Sequence, residues 1–448
     1  LHVLAAPQMV IESPPGTQLA SNSAALDLGT GVVGSTANKL LTIRNTGDAD
    51  LALTSITLSG GDLFEFGQAL QGSPVVTPGG SIILALSFTP TSSGSKSCNF
   101  SITSTDPLQA NWENTLEGVA LVPAEIAQQA YLKASNTGAY DRFGYSVAID
   151  GDTMVVGAPY ENSNATGIDG NQADDSAQVS GAAYVFVRNG TTWVQQAYLK
   201  ASNTETSDLF GYSVAIDGDI VVVGAIYEDS NATGINGNQA DNSSPSSGAA
   251  YVFVRSGTTW SQQAYLKASN TGANDNFGYS VAVDGDSVLV GARREASNTT
   301  GIDGNQADNS LAYAGAAYVF TRSGTTWSQQ AYLKASNTEG GDYFGTSVAI
   351  DGDTVLVGAF AEDSNATGID GNQADNTGQL SGAAYVFVRS GTTWSQQAYL
   401  KASNTGSGDY FGNSVAIDGD TVLVGASGED SNASGIDGNQ ADNSAANS

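Results

Sequence analysis

Apolar and polar residues alternate along most of this chain in short runs, the period expected of half-buried β-strands. Between residues 8 and 122, seven such runs are separated by turn signals rich in Gly, Pro, Asp and Asn. The predicted strands are Gln8–Glu12, Ala25–Leu28, Lys39–Arg44, Leu51–Leu58, Ser81–Phe88, Ser97–Ser104 and Asn114–Val122. Seven short strands over this length are typical of an immunoglobulin-like β-sandwich.

From residue 126 onward the pattern repeats with a period of 67 residues, marked by Phe-Gly pairs at Phe143, Phe210, Phe277, Phe344 and Phe411. Each copy predicts four strands, which in the first copy are A, Tyr145–Ile149; B, Thr153–Ala158; C, Ala182–Val187; and D, Trp193–Lys200. A further strand D is predicted at Gln128–Ala134, and the fifth copy is predicted to supply only strands A and B. Four antiparallel strands repeated radially form a β-propeller blade. A solenoid is the alternative, although solenoid repeats are usually shorter, at about 20–45 residues.

Several features of one repeat predict how the blade is built. In Asp150-Gly151-Asp152, between strands A and B, Asp-Gly is predicted at the centre of a tight turn, which favours the primed type. Strand D mixes polar and apolar residues, among them Gln195, Tyr198 and Lys200, which predicts an outer edge strand. The Phe of each Phe-Gly pair is predicted to pack between blades. One Trp recurs in strand D and is predicted to be a packing residue rather than part of a ligand-stacking ladder: Trp193, Trp260, Trp327 and Trp394.

Four short segments of the first region resemble a known family. They are Leu26–Gly29, Leu41–Gly47, Phe88–Pro90 and Leu116–Gly118. These segments are similar to the Hydin-type immunoglobulin-like module, which bacterial surface proteins carry as the choice-of-anchor D domain. The resemblance covers essentially the whole region, and it implies a structural spacer or interaction module without catalysis.

The repeats resemble a second family. Phe143-Gly144 and Gly157-Ala158-Pro159 are similar to the two halves of the FG-GAP repeat, which builds the propeller of integrin alpha subunits. The Phe-Gly and Gly-Ala pairs persist in all five copies, whereas the Pro is replaced in the later ones, by Ile226, Arg293, Phe360 and Ser427. The resemblance implies a propeller that is typically seven-bladed. We therefore expect an incomplete propeller here and further repeats beyond Ser448, in a chain that is a segment of a longer protein.

The sequence thus predicts an all-β chain with two domains. Residues 1–122 form the immunoglobulin-like β-sandwich, residues 123–125 a linker, and residues 126–448 the β-propeller of four-stranded blades. Cys98, the single cysteine, alternates with Phe100 and Ile102 on one strand face and is predicted to be a core residue. His2 is the single histidine, so histidine-based nucleophile triads and multi-histidine metal centres are excluded from the repeats.

The net charge of the chain restricts the partners that it is expected to bind. The chain has 15 Lys and Arg against 45 Asp and Glu, a formal net charge of −30. This balance disfavours nucleic acid and anionic membranes, which are polyanions themselves. No apolar run reaches the roughly 18 residues that a membrane-spanning helix needs, so we expect no membrane insertion.

The acidic residues concentrate in the longest loops. The B–C loops are about 20 residues long, a length that usually indicates function or disorder; they are Glu161–Ser180, Glu228–Ser247, Glu295–Ala314, Glu362–Ser381 and Glu429–Ser448. The D–A loops add one carboxylate each before the Phe-Gly pair: Asp141, Asp208, Asp275, Asp342 and Asp409. In an up-and-down blade both kinds of loop emerge on the same face, so one face of the propeller is predicted to be strongly acidic.

Calcium is the cofactor that these loops suggest. The integrin-type calcium loop is not carried over, because Asp150-Gly151-Asp152 is too short to surround an ion. The B–C loops instead open with Asp-x-Asn-x-Thr-Gly or a close variant, in which alternating oxygens can wrap a hard cation. The candidate ligands are Asp229, Asn231, Thr233, Asp363, Asn365, Thr367, Asp370, Asp375, Asp430, Asn432 and Ser434. The alternative is a solvated loop whose side chains satisfy their own backbone turns.

Together these features predict a non-enzymatic extracellular or cell-surface protein of adhesion or interaction. It would bind a protein or glycan through the acidic loop face, in a calcium-dependent way. A purely structural stalk is one alternative. A carbohydrate-active enzyme is another, but every carboxylate has near-copies one repeat away, and the breaks at Arg293, Arg294 and Ala296 are not a catalytic set.

Overall fold

The computed structural model describes residues 5–122, 128–434 and 438–445. The chain divides into two compact units, Leu1–Gln128 and Gln129–Ser448. The predicted linker, residues 123–125, lies outside the described residues. Among those that are described, no helix is long and apolar enough to cross a membrane.

The first unit is built from two five-stranded sheets. Its strands are β1 (Met9–Glu12), β2 (Gln18–Leu19), β3 (Leu26–Val32), β4 (Ala37–Asn45), β5 (Leu51–Ser59), β6 (Phe66–Gln71), β7 (Val75–Val76), β8 (Ser81–Phe88), β9 (Gly94–Ser104) and β10 (Asn111–Leu121). One sheet has the order β2-β1-β4-β8-β6 and the other β3-β10-β9-β5-β7. A short 3-10 helix, Leu63–Glu65, precedes β6.

The core of this unit is supplied by the inward-facing residues of both sheets, as alternation predicts. Leu41, Leu84 and Phe88 are fully buried, and Cys98 is 3% exposed. Burial raises the pKa of the Cys98 thiol to about 11, which fits a packing role. The sandwich prediction is confirmed. The strand Phe66–Gln71 was not predicted, because its residues do not alternate and it lies at a sheet edge.

The second unit contains four four-stranded sheets and one two-stranded sheet, each an antiparallel meander in chain order. The first two sheets comprise β11 (Ser146–Asp150), β12 (Thr153–Ala158), β13 (Ala182–Asn189), β14 (Thr192–Leu199), β15 (Phe210–Asp217), β16 (Ile220–Ala225), β17 (Ala249–Ser256) and β18 (Thr259–Leu266). The next two comprise β19 (Phe277–Asp284), β20 (Ser287–Ala292), β21 (Ala316–Ser323), β22 (Thr326–Leu333), β23 (Ser347–Asp351), β24 (Thr354–Ala359), β25 (Ala383–Ser390) and β26 (Thr393–Leu400). The last pair is β27 (Phe411–Asp418) and β28 (Thr421–Ala426). These sheets are the predicted blades, and strand D is the edge strand of each complete one.

Two local predictions were wrong. Gln128–Ala134 is not a strand. In each complete blade strand D pairs with strand C of the same blade, whereas the described residues before Gln128 belong to the first unit. The A–B turn is two residues long, because Asp150 pairs with Thr153. Its central residues are therefore Gly151 and Asp152 rather than Asp-Gly, with Gly151 at a φ of +51°, as a primed turn with glycine first requires.

The Phe-Gly and Gly-Ala pairs form a close backbone contact between successive blades. A Cβ atom placed on Gly157 would lie 2.1 Å from the carbonyl oxygen of Gly211 in the next blade. The same approach recurs at the three later interfaces, at 2.1, 2.1 and 2.0 Å. Beside it Phe210 is fully buried in a core cluster that contains Val185 from one blade and Tyr251 from the next. The prediction that these phenylalanines pack between blades is confirmed for Phe210, Phe277, Phe344 and Phe411. Phe143 instead packs within the first blade and against the segment that precedes it.

This contact predicts that Gly224→Ala will strongly destabilise the propeller. The added methyl would meet the Gly278 carbonyl oxygen at 2.1 Å, a backbone atom that cannot turn aside. Forced overpacking of this kind costs about 1–3 kcal/mol or more. Thermal unfolding of the full chain measures the loss.

The matched control is Gly425→Ala in the fifth repeat. There the nearest atom to the added Cβ is the Ser414 hydroxyl oxygen, at 2.5 Å, which can rotate away. The control should lower the melting temperature much less than Gly224→Ala. Equal losses from the two substitutions would contradict this account of the motif.

Candidate functional site

The loops of the propeller blades fall on two faces. The end of each B–C loop binds the following D–A loop, as in the backbone bonds from Ser207 N to Gln178 O and from Phe210 N to Ser180 O, both 2.9 Å. The A–B and C–D turns meet on the other side, where Arg188 N donates to Asp152 O at 2.8 Å. We call the first set of loops the loop face and the second the turn face.

One ion pair recurs on the turn face of each complete blade. The exposed Asp219 carboxylate accepts from Arg255 Nε at 2.6 Å, and the Arg255 guanidinium lies over the Trp260 ring. Trp260 is 4% exposed, and its Nε1 donates to Gln196 of the preceding blade at 2.8 Å. Equivalent contacts recur in the other three complete blades. The recurring tryptophans are therefore packing residues, as predicted.

The long B–C loops are folded against strand D. Lys267 N donates to Gly234 O at 2.8 Å, and Asn236 N donates to Tyr265 O at 2.8 Å. Ile235 forms an isolated bridge with Leu266. Because backbone groups of the loop and the strand satisfy one another, these loops behave as extra structural layers of the blade.

A buried ion pair lies beneath each of these loops. The ammonium of Lys267 lies 2.8 Å from Oε2 of Glu228, and both side chains are at most 1% exposed. The Lys267 ammonium also donates to Ser247 Oγ at 2.7 Å. Burial lowers the pKa of Lys267, while the Glu228 carboxylate opposes this change. The same pair occurs in the other complete blades, as Lys200–Glu161, Lys334–Glu295 and Lys401–Glu362.

The ion pair also connects neighbouring blades. Asn203, which follows strand D of the first blade, donates to Glu228 Oε1 of the second blade at 3.0 Å. Its own side-chain oxygen accepts from the Tyr251 hydroxyl at 2.7 Å. The polar residues at the end of strand D, which the sequence suggested were exposed, are therefore buried: Tyr198 and Lys200 are both 0% exposed. Strand D is an edge strand of its sheet, but the loop covers that edge.

The aspartates of the D–A loops were predicted to add charge to the loop face, and this was wrong. Asp208, Asp275 and Asp342 are only 3–4% exposed. Each accepts a bond from the backbone three residues earlier. Loss of hydration on burial raises the pKa of Asp208 and Asp342 to about 8 and that of Asp275 to about 7. Burial therefore favours the protonated form of these groups near neutral pH and reduces the negative charge that they add to the loop face.

The predicted calcium ligands occupy several separate places in the loops. Asp229 and Asp363 hold the two ends of their loops together, since their Oδ1 atoms accept from Ser246 N and Leu380 N at 2.7 Å. Asp370 accepts from Tyr399 N at 2.9 Å, and Asp375 accepts from Thr377 within its own turn. The remaining candidates are exposed or partly exposed on the loop surface: Asn231, Thr233, Asn365, Thr367, Asp430, Asn432 and Ser434.

These positions bear on how well the loops suit a calcium ion. Within the described parts of the chain, no three His, Cys, Asp or Glu side chains are close enough to hold a metal ion together. Four of the predicted carboxylates already use one oxygen in a loop bond, and each retains a second. Calcium takes six to eight oxygens, so backbone, amide or water oxygens would have to supply most of them. Calcium binding stays a prediction.

The third blade departs from the repeat at one corner of the loop face. At its B–C loop, Arg293, Arg294 and Tyr313 stand where the second blade has Ile226, Tyr227 and Ser246. Ala296 replaces the Asn or Asp that closes the loop in the other complete blades. Ala314 replaces the serine that accepts from the buried lysine in those blades. The third blade thus lacks side-chain hydrogen bonds that its neighbours make.

Aromatic rings and the two arginines of this corner form a continuous row along the loop face. Tyr145, Tyr212 and Tyr279 lie in sequence, with ring centroids 5.1 Å apart. The Arg293 guanidinium carbon lies 3.8 Å from the Tyr279 ring centroid and 5.7 Å from that of Tyr343. The row, which we call the aromatic–arginine row, comprises Tyr145, Tyr212, Tyr279, Arg293, Arg294, Tyr313, Tyr343, Phe360 and Tyr410.

Sequence reasoning missed this row and the buried ion pairs. A lysine and a glutamate recur at fixed places in every complete copy, and their invariance was the available signal for the pair. The signal for the row was the set of departures from the repeat. Arg293 and Arg294 were noted in the sequence, but they were judged only as candidates for catalysis.

The fold and these surfaces define a repeat protein of propeller blades that carries an immunoglobulin-like domain. Residues 126–186, 193–253, 260–320, 327–387 and 394–440 match the FG-GAP repeat family. Because these matches cover more than half of the chain, the chain belongs to that family. Residues 17–118 match the HYDIN/CFA65/VesB-like, Ig-like domain family. No curated protein matches the chain.

Several solved structures share a limited likeness with the chain. A protein of unknown function from Porphyromonas gingivalis W83 is 21% identical, with 25% of this chain and 66% of that chain covered and a TM-score of 0.20. The VesB protease of Vibrio cholerae is 14% identical, with coverages of 23% and 31% and a TM-score of 0.18. The secreted serine protease VesC of Vibrio cholerae is 12% identical, with coverages of 55% and 46% and a TM-score of 0.18. At these scores none of them supports an argument about this chain.

The buried ion pair predicts that Lys267→Met will destabilise the propeller by about 3–5 kcal/mol, because it leaves the Glu228 charge buried without its partner. The double variant Glu228→Gln, Lys267→Met should recover part of this loss, since no buried charge remains. Thermal and denaturant unfolding of the full chain compare the variants.

The control for this prediction is Asp219→Asn, which breaks the exposed pair with Arg255 on the turn face. Surface pairs contribute at most about 1 kcal/mol, so the control should cost far less. A Lys267→Met variant as stable as the wild type would contradict the proposed role of the pair.

Proposed function

We propose that this chain is a non-enzymatic extracellular or cell-surface interaction protein that binds a partner through the loop face of its propeller. FG-GAP repeats and immunoglobulin-like domains are typical of surface and interaction proteins. The observation that carries the proposal is the ordered loop face, on which folded loops from four successive blades present exposed polar side chains on a common scaffold. Rigid elements that hold variable loops are a common design for binding surfaces.

The carbohydrate-active enzyme is the weaker candidate. Such an enzyme needs one carboxyl group held protonated beside another that stays ionised. Burial does raise the pKa of Asp208, Asp275 and Asp342, but each of them binds its own loop in the same way. This repetition supports a structural role for them. The structural stalk differs from our proposal only in having no partner.

The proposal predicts that lysines placed on the loop face will abolish retention of the partner. The loop-face variant carries lysine at four equivalent exposed positions, Asn164, Asn231, Asn298 and Asn365. Immobilised wild-type and variant chains are compared for the proteins and glycans that they retain from cell-surface extracts. We expect wild-type retention that the variant loses.

The control carries four lysines on the turn face instead, at exposed Thr191, Thr258, Thr325 and Thr392. It changes the net charge equally, so it separates loss of a binding surface from a general change of charge. Equal retention by all three chains, or no specific retention by the wild type, would contradict the proposal.

We also propose that calcium binds weakly to the B–C loops and supports this surface. The support comes from the acidic side chains of these loops, several of which keep one free carboxylate oxygen, and from their exposure. Few protein oxygens converge, so we expect an affinity of about 10⁻⁴–10⁻³ M, as in extracellular calcium modules.

Thermal unfolding of the full chain with calcium, and then with excess chelator, tests this second proposal. About a tenfold excess over the dissociation constant would stabilise the folded state by about 1.4 kcal/mol. The calcium-induced shift should be reduced in the variant Asp363→Ala, Asp370→Ala, and magnesium serves as the control cation. The absence of any calcium-specific shift would refute calcium binding and leave the loop-face proposal standing.

A further inference from the structure

The two arginines of the aromatic–arginine row differ from most other arginines of the propeller blades in their charge partners. Four other arginines of the propeller blades each pair with an aspartate: Arg188, Arg255, Arg322 and Arg389. The fifth, Arg142, instead lies over the Tyr160 ring, 4.0 Å from its centroid. Neither Arg293 nor Arg294 forms an ion pair with a carboxylate among the described residues. Their Nε atoms are buried, and none of the residues that the structure describes hydrogen-bonds to them.

The rings around these arginines hold the guanidinium groups in place. Arg293 lies between the Tyr279 and Tyr343 rings, and Arg294 lies 5.6 Å from the Tyr313 ring centroid. The Tyr313 ring stacks on Tyr343, with centroids 5.6 Å apart and planes 12° apart. Tyr313 is nevertheless 45% exposed, so a partner can reach this end of the row. A guanidinium held by stacking on rings loses little freedom when it binds an anion.

The third blade lacks stabilising hydrogen bonds at positions next to these residues. Ala296 and Ala314 remove hydrogen bonds of the kind worth about 0.5–1.5 kcal/mol each. The neighbouring blades keep those bonds, so the repeat does not require their loss. Natural proteins break such local rules mainly at functional sites.

We propose that the aromatic–arginine row binds a carboxylate side chain presented by a segment of a partner protein, with apolar neighbours of that carboxylate packing on the tyrosines. Arginine matches a carboxylate with two parallel bonds, and tyrosine and arginine dominate the energetic centres of protein interfaces. This inference rests on the proposed function, since the row lies on the loop face.

Charge selects this partner over an acidic polysaccharide. The chain carries a net charge of −30, so a polymer with many carboxylates would be repelled along its length. A short segment with one carboxylate would contact the two arginines and would bring no further negative charge to the acidic surface. The acidic surroundings would then act against the wrong partners.

Two libraries of capped nonapeptides test the proposal. In one the central residue is Asp or Glu, and in the other it is Asn or Gln, with the flanking residues randomised in both. The immobilised full-length chain should enrich the acidic library about tenfold or more over the amide library. The preference should weaken as ionic strength rises.

The matched variant Arg293→Ile, Arg294→Tyr, Tyr313→Ser places the residues of the second blade in the third. It should fold, because the second blade carries these residues, and unchanged melting verifies this. It should lose the preference for the acidic library. Arg293→Lys with Arg294→Lys keeps the charge without the planar fork and should lose part of it, whereas Arg322→Gln on the turn face should lose none.

Three results would overturn the proposal: equal retention of both libraries, full preference in the matched variant, or stronger retention of polyuronate than of the peptides. If the wild type still retains a partner from surface extracts through its loop face, these results refute only the assignment of this row. If the wild type retains nothing specific from the extracts, the proposed function is refuted as well.

Discussion

The buried lysine–glutamate pair is the interaction on which the loop face depends. A buried ammonium must be paired, and in each complete blade the glutamate that opens the B–C loop pairs with the lysine that ends strand D. Replacing such a pair with apolar residues is often neutral, so its contribution is better described as specificity than as net stability. It fixes the position at which each long loop leaves the sheet and returns to it.

The glycine contact between blades and the buried ion pair order different parts of the repeat. Close approach of Gly157 to Gly211 sets how the sheets pack, and the asparagine bridge to the glutamate ties each loop to the preceding blade. Against this regular background the third blade stands out. It keeps the glycine contact and the ion pair, but it has Ala296 in place of the loop-closing residue and carries Arg293, Arg294 and Tyr313 nearby. We therefore expect the binding site among the residues that differ between the copies of the repeat.

Most of the fold was predictable from the sequence. The sandwich, the blades and the assignment of loops to faces were predicted from three sequence features. These are the alternation of apolar and polar residues, the 67-residue period and the short turns. The candidate site was less predictable, because burial of a charged residue depends on tertiary contacts. Lys200 and Asp208 look exposed in sequence, yet a loop covers the first and the second lies inside a turn. The row of rings was hidden because its members are far apart along the chain.

Amide hydrogen exchange on the metal-free chain tests the central claim that the long loops are ordered by protein contacts alone. The account predicts slow exchange at Gly234 and Asn236, whose N–H groups donate to Ala268 O and Tyr265 O, comparable to exchange in strand D. Addition of calcium at about tenfold excess over its dissociation constant should raise this protection by about tenfold at most. Exchange at these amides as fast as in an unstructured peptide, with protection only after calcium is added, would contradict the account.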